Sequence, residues 1–462
     1  MNRSRLGRSA GESLAVSEPV AAAPHMAKPK LLFLSHALPY PPSSGAAIRT
    51  YNVLRQLAAA FDVTALCFYR VKAHGSAAQV SASLAALSGI ARVEAFPIPQ
   101  EHSRLRFLWD HLRSLASGRA YTRFAYDARP YRRRLLELLR SERFDIVHVD
   151  SSDLSAYLPL LDRVPVACTH HNVESELLRR RAQNGTGLRS WYLRLQAALT
   201  ESEEMRWCRS AAINVAVSDA DRDGLLRIAP GARITVAPNG VDIAEYVPLD
   251  GTDELIAYLG GTEWFPNLDA LEYFCGEILP ILRRDGRSVP VRWIGRASPE
   301  QIAHYRARHS VELTGYVDDV RPWVRDAFCT IVPLRIGGGT RLKITTAWAM
   351  GKAVVSTSVG CEGLHAVDGE NILIRDDPGS FAEAIRQVMV DPRLRRRLGA
   401  NGRRTVEQLY SWDVVGRALV REYLEVLGWP EHLVAAGTGV AVDTSATHGS
   451  GGEPLRTRDG ST

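Results

Sequence analysis

The chain has 462 residues, of which 45% are hydrophobic and 23% charged, and a formal net charge of +6. That length exceeds one ordinary hydrophobic core and fits two domains with tails, while no run approaches the roughly 18–20 apolar residues that a membrane-spanning helix needs. Six scattered cysteines with no C-x-x-C pair exclude a disulfide framework and a thiolate metal site, and point to the cytoplasm.

Residues 1–28 carry arginines and an apolar stretch broken by Ser, Glu and Pro, which reads as a solvated tail rather than a secretory leader. Short β-branched apolar runs follow at 31–37, 63–68, 93–97, 144–150, 164–170, 212–218 and 234–238, with helical patterns such as 47–60 and 131–143 between them. Runs apolar on both faces predict a buried parallel sheet, and the alternation predicts a doubly wound α/β domain. Between residues 102 and 143, eleven arginines are opposed only by Asp110, Asp127, Glu137 and Glu142, with Leu105, Phe107, Leu108, Trp109 and Leu112 interleaved. This basic amphipathic pattern fits a helix lying on an anionic membrane, and also the more common case of a solvated helix whose apolar side is core. The aromatics form no stacking platform, so nucleic acid is not an expected partner.

The turn-rich PNGVD, residues 238–242, and the polar stretch 250–254 mark a linker. The alternation then restarts, with strands at 255–259, 291–294, 311–315, 330–334, 353–356 and 372–374. Helices are predicted at 267–283, 299–308, 341–350 and 380–389, followed by an amphipathic stretch at 412–427. The predicted organisation is a tail (1–28), an N-terminal domain (29–240), a C-terminal domain (241–410), a final helix (411–428) and a polar tail (429–462). Two parallel sheets in series put their C-terminal strand ends at one inter-domain cleft, where ligands of open α/β sheets bind.

The strongest chemical signal is PLRIGGGTRLK, residues 333–343. A strand ends, Gly337, Gly338 and Gly339 expose backbone, and a helix begins near Thr340 with Arg341 and Lys343 in its first turn. Backbone N–H groups at a helix start favour an anion, and two cations there suit a departing diphosphate.

The stretch 314–364 resembles the donor-site core of the family-4 (group 1) retaining glycosyltransferases. So do PYPPSSGAAIR (39–49), His171-Asn172-Val173-Glu174, GGTEWFPNLD (260–269) and the helix opened by Ser411-Trp412, in that order along the chain. The resemblance implies a GT-B fold of two doubly wound Rossmann-like domains facing across a cleft, the final helix returning to the N-terminal domain. It further implies metal-independent transfer, without a cofactor, from a nucleotide-sugar to a glycan or lipid-linked acceptor in polysaccharide biosynthesis. Retention of configuration is part of the same expectation, whereas peripheral contact with the inner face of the plasma membrane is expected from the basic stretch 102–143. Residue by residue, Gly45 approaches the donor phosphate, and Gly315, Tyr316 and Val317 offer groups to the base. Gly338, Gly339, Thr340 and Glu362 line the diphosphate end, and Arg341 and Lys343 neutralise it. His171 lies beside the transferred sugar, with His170, Asn172 and Glu174 on the acceptor side.

Two departures stand out. The family's ribose-gripping glutamate is replaced by Thr346, which is shorter and uncharged, and residues 260–268 lack the usual Arg and Lys, leaving Arg341 and Lys343 alone or with Arg296. A non-catalytic or weakened nucleotide-sugar-binding relative, or a nucleotide-sugar epimerase, are the alternatives these departures allow. Asp221-Arg222-Asp223 has D-x-D spacing but follows the N-cap signal of Ser218, so it is read as a solvated helix turn rather than a metal site.

Overall fold

The computed structural model describes residues 28–429 except 43, 71–75, 184–185, 285, 287–288 and 338–340. Nearly all of both tails, together with Gly338, Gly339 and Thr340, therefore lies outside the described residues.

Seven parallel strands form the first sheet: β1 (Lys30–Ser35), β2 (Asp62–Tyr69), β3 (Arg92–Pro97), β4 (Ile146–Val149), β5 (Val166–His170), β6 (Ile213–Ala216) and β7 (Ile234–Val236). Their order is β3-β2-β1-β4-β5-β6-β7. Six more form the second: β8 (Leu255–Leu259), β9 (Val291–Ile294), β10 (Val311–Leu313), β11 (Ala327–Val332), β12 (Ala353–Ser356) and β13 (Leu373–Ile374), in the order β10-β9-β8-β11-β12-β13. The order reverses between β1 and β4 in one sheet and between β8 and β11 in the other. Each reversal opens a crevice beyond the carboxyl ends of the strands, and both crevices receive functional loops.

The burial patterns follow from the runs of apolar residues. Strands β4, β5, β6, β8, β11 and β12 are buried at every position, as a parallel sheet covered on both faces requires. One predicted helix breaks. Residues 267–283 form the helix Phe265–Tyr273, a wider π turn at Phe274–Ile278, and a short helix Leu279–Leu282. Pro280 accounts for the break, because its ring removes an N–H and crowds the preceding turn. The helix predicted at 341–350 starts one residue later, at Leu342, because Arg341 has non-helical angles and serves as its N-cap.

The last helix, Trp412–Leu427, is capped by the Ser411 side chain, which accepts from the Val414 N–H. It leaves the second sheet and buries Trp412, Val415, Leu419, Tyr423 and Leu424 in the core of the first, with Leu31, Phe33, Leu54 and Leu57. Its Tyr423 hydroxyl lies 2.7 Å from Nδ1 of His148 on β4. The linker is clamped at the same place, since a Cβ on Gly240 would lie 2.6 Å from Cδ2 of the buried Trp412 indole. Gly240→Ala therefore displaces a packed ring at the junction of the two sheets. We expect a loss of about 1–3 kcal/mol, read as a lower midpoint in denaturant unfolding; an unchanged midpoint would show that the junction yields freely.

Candidate active site

The cleft between the two sheets has a volume of about 380 Å³ and takes Gly45 from the first, with Trp264, Asn267, Arg341, Lys343 and Thr346 from the second. Gly45 opens the helix Gly45–Ala60, whose N-cap Ser44 accepts from the Ala47 N–H. Among the described residues, a Cβ on Gly45 would meet Leu342 Cδ1 at 3.5 Å. The first residues of two helices, Gly45 and Leu342, thus meet at the cleft, and a helix start favours an anion.

Arg341 is 3% exposed. Its Nη2 donates to the Val359 carbonyl at 3.2 Å and lies 3.8 Å from Glu362 Oε2. The guanidinium sits against the glycine turn, for a Cβ on Gly337 would come 2.9 Å from Nη2. The Lys343 stem reaches the cleft, while its ammonium donates to Asn267 Oδ1 at 2.7 Å and to the Tyr258 hydroxyl, 4.2 Å from that ring's centroid. Tyr258 is itself stacked on Trp293. Close approach is allowed by Gly260, where a Cβ would meet Asn267 Nδ2 at 2.6 Å and Lys343 Nζ at 3.1 Å. Burial first, and the charge of Arg341 second, draw the Lys343 ammonium well below its ordinary range. Glu362, the carboxylate beside Arg341, is half exposed.

The structure places the other donor-side residues as follows. Thr346 lines the cleft from the same short helix. Gly315 adopts a left-handed φ of 73° and turns the chain so that Tyr316 stands exposed, with the Arg296 guanidinium 4.6 Å from its ring. Val317 packs against the small apolar cluster that includes Leu259 and Ile294. Asp221 and Asp223 fall in the helix Asp219–Ile228, with Asp221 bonded to the N-cap Ser218.

The two adjacent histidines are separated by the strand's alternation. His170 ends β5 and is buried, with Nε2 3.0 Å from Asn214 Oδ1 and 4.0 Å from Cys208 Sγ. Burial, with His171 adding to it, lowers its pKa to about 4. His170 therefore braces neighbouring strands and does not reach the acceptor side. His171, one residue on, is 18% exposed, with Nε2 3.8 Å from Asp150 Oδ2. Asn172 donates to Glu174 Oε1 at 3.0 Å, and a second hollow joins Asn172, Glu176 and Arg180 to Glu362 across the cleft.

Asp150 and His36 were not singled out from the sequence. Asp150 is wholly buried at the end of β4 and accepts from Thr50 Oγ1 at 2.6 Å and Ser35 Oγ at 3.2 Å. His36, His148 and His171 surround it at 3.8, 3.5 and 3.8 Å. Burial alone would raise this carboxyl, but the facing His148 and His171 outweigh it and hold the group well below the usual carboxylate range. His36 is lowered to about 4 by burial, then by His171. The side-chain donors of His36, Asp150 and His171 lie within 4.8 Å of one another, a spacing that suits a divalent ion. The Asp150 oxygen nearest both rings already accepts from two hydroxyls, while the facing nitrogens of the three histidines make no hydrogen bond among the described residues, so the carboxylate acts on His171 through its charge. The available signal was positional: Ser35-His36 and Asp150 end the two strands that flank the reversal in sheet order.

Comparison with known proteins now decides the family. Residues 43–245 match the model described as Glycosyltransferase Family 4, and residues 253–391 match that described as Glycosyl transferases group 1. The chain belongs to the family-4, group 1 glycosyltransferases. It is 34% identical over 121 residues to the lipopolysaccharide core biosynthesis glycosyltransferase LpsE of Rhizobium meliloti (strain 1021), a match spanning 25% of this chain and 34% of that protein. Anabaena Alr3699/HepE in complex with UDP superposes with a TM-score of 0.59 at 13% identity, covering 86% of this chain and 100% of that one. TarM gives 0.60 at 12% identity, covering 86% and 98%. At such identities these two structures establish the GT-B fold.

The environment of Lys343 gives this glycosyltransferase a measurable signature. Its ammonium is depressed in the free protein, and a bound diphosphate raises it, so binding takes up a proton at pH values between the two. Affinity for UDP should fall as pH rises through that interval. Calorimetry in buffers of different ionisation enthalpy should report the uptake, and Lys343→Arg should abolish it. Heats that do not depend on buffer would contradict the assignment.

Proposed function

We propose that the chain transfers a sugar from a nucleotide-sugar to a glycan or lipid-linked acceptor, with retention at the anomeric carbon and without a metal. The observation that carries this reading is the convergence of Arg341, Lys343 and the Gly45 helix start on one cleft. As the bond from the anomeric carbon to the diphosphate oxygen breaks, that oxygen keeps the electron pair. Arg341, already in place, and Lys343, drawn from its bonds to Asn267 and Tyr258, stabilise the charge. The acceptor hydroxyl attacks the same face of the sugar and passes its proton to the departing diphosphate. To His171, whose Nε2 lies 3.8 Å from Asp150, we assign the positioning of the sugar. HepE, a structural neighbour, has been solved in complex with UDP-glucose, and LpsE acts in lipopolysaccharide core biosynthesis; both agree with a nucleotide-sugar donor and a polysaccharide product.

The proposed site is cytoplasmic, at the inner face of the plasma membrane. All six cysteines are buried and unpaired, and among the described residues no helix is long and apolar enough to cross a membrane.

Donor-dependent release of nucleoside diphosphate should fall about 100-fold or more in Arg341→Ala and in Lys343→Ala; unchanged rates would refute the diphosphate assignment. Activity should survive EDTA, and a loss restored by a divalent ion would contradict the metal-free reading. Thr346 bears on a second reading, a binding protein with little turnover, because it lines the cleft where a glutamate would grip the ribose. Restoring a charged acceptor with Thr346→Glu should tighten UDP binding at least about tenfold, measured by calorimetry. Unchanged affinity would show that the ribose is held elsewhere.

A further inference from the structure

The helix Arg104–Ser117 is folded inside out. Its buried residues are Asp110 and Ser114, whereas Leu105, Phe107, Leu108, Trp109, Leu112 and Leu115 are 45–79% exposed. An ordinary surface helix does the reverse. The inversion is built by bonds on the inner face. Arg106 Nε reaches Asp110 at 2.8 Å, and its Nη2 donates to the carbonyls of Phe124 and Asp127 at 3.1 and 3.0 Å. Gln100 Nε2 donates to Asp110 at 3.0 Å, and Gln196 Nε2 to Ser114 Oγ at 2.8 Å. His111 bonds the Tyr192 hydroxyl. These contacts fix the apolar side outward, toward solvent.

The neighbouring helix, Gly187–Ser210, extends the patch. His111 and Ser114 pair with Tyr192 and Gln196, so its first turns lie alongside and bring up Leu188, 80% exposed, and Trp191, 58% exposed. The charge around this surface has one sign. Arg104, Arg189 and Arg194 are exposed. Across residues 104–117 and 187–200 the one acidic residue is Asp110, which is buried and paired with Arg106.

We infer that this face docks on an anionic lipid bilayer. Exposed Leu, Phe and Trp enter the boundary between headgroups and acyl chains, and the arginines at the rim meet lipid phosphates. A protein partner would need no such one-signed rim, and a second copy would set arginine against arginine. The docking face adjoins the His36–His171 end of the cleft. Arg106 holds the Phe124 carbonyl, and Tyr126, two residues on, meets the His36 ring at 6.2 Å. A lipid-linked acceptor would therefore arrive from the bilayer at the acceptor side, an extension that rests on the transferase reading, whereas the docking itself does not.

The test is flotation of the full chain with vesicles of phosphatidylcholine alone or mixed equally with phosphatidylglycerol. Binding should occur on the mixed vesicles and be lost in high salt. It should weaken at least about tenfold in Trp109→Ser/Leu112→Ser and in Arg104→Glu/Arg189→Glu. Both double variants should keep wild-type UDP affinity and unfolding midpoint, which shows that they fold. Absence of flotation with the mixed vesicles, equal binding by all variants, or a concentration-dependent dimer in sedimentation that Trp109→Ser/Leu112→Ser abolishes would each overturn the proposal. Turnover on a soluble acceptor without vesicle binding would leave the transferase reading intact and remove this one.

Discussion

Two like charges held side by side at the mouth of a short helix govern this molecule. Arg341 and Lys343 repel each other, and both lose water where the two sheets meet. The fold accepts that cost by supplying neutral partners: the Val359 carbonyl for Arg341, and Asn267 with the Tyr258 hydroxyl for Lys343. Glu362 stands 3.8 Å off and half exposed, so it tempers the charge without cancelling it. A carboxylate in full contact would stabilise the empty protein and compete with an anionic ligand. The arrangement keeps positive potential in hand for a diphosphate, and preorganisation of this kind is the largest electrostatic resource an enzyme has.

The rest of the architecture serves to bring that potential against a second surface. Strand order reverses once in each sheet, so functional loops gather at the carboxyl ends of β1 and β4 on one side and of β8 and β11 on the other. The returning helix ties the halves together, and it does so near the chemistry. Tyr423 touches His148, His148 lies 3.5 Å from Asp150, and Asp150 faces His171. The buried carboxylate is held by the hydroxyls of Thr50 and Ser35, and the three imidazoles around it offset its charge in a setting of low dielectric.

The sheets were legible in the sequence because their strands are apolar on both faces, as a parallel sheet covered by helices on each side demands. The helix broken at Pro280 was not, since amphipathic spacing continues across the proline while the backbone does not. On the donor side, the run from Pro333 to Lys343 announced itself by glycine and charge in one place. Asp150 and His36 did not, because each is a single polar residue at the end of an apolar strand, and only strand order brings them together. The roles of His170 and His171 differ by one step of strand alternation, which spacing alone does not resolve. The helix at Arg104–Ser117 was ambiguous for a related reason: its pattern shows which residues share a face, and only Asp110 with its partners shows which face turns inward.

The most direct test of the account is a crystal structure with UDP bound. The account predicts diphosphate oxygens within hydrogen-bonding distance of Arg341 and Lys343, beneath the start of the Gly45 helix, with Lys343 drawn away from Tyr258. A diphosphate seated elsewhere in the cleft, with both cations still turned to their present partners, would contradict it.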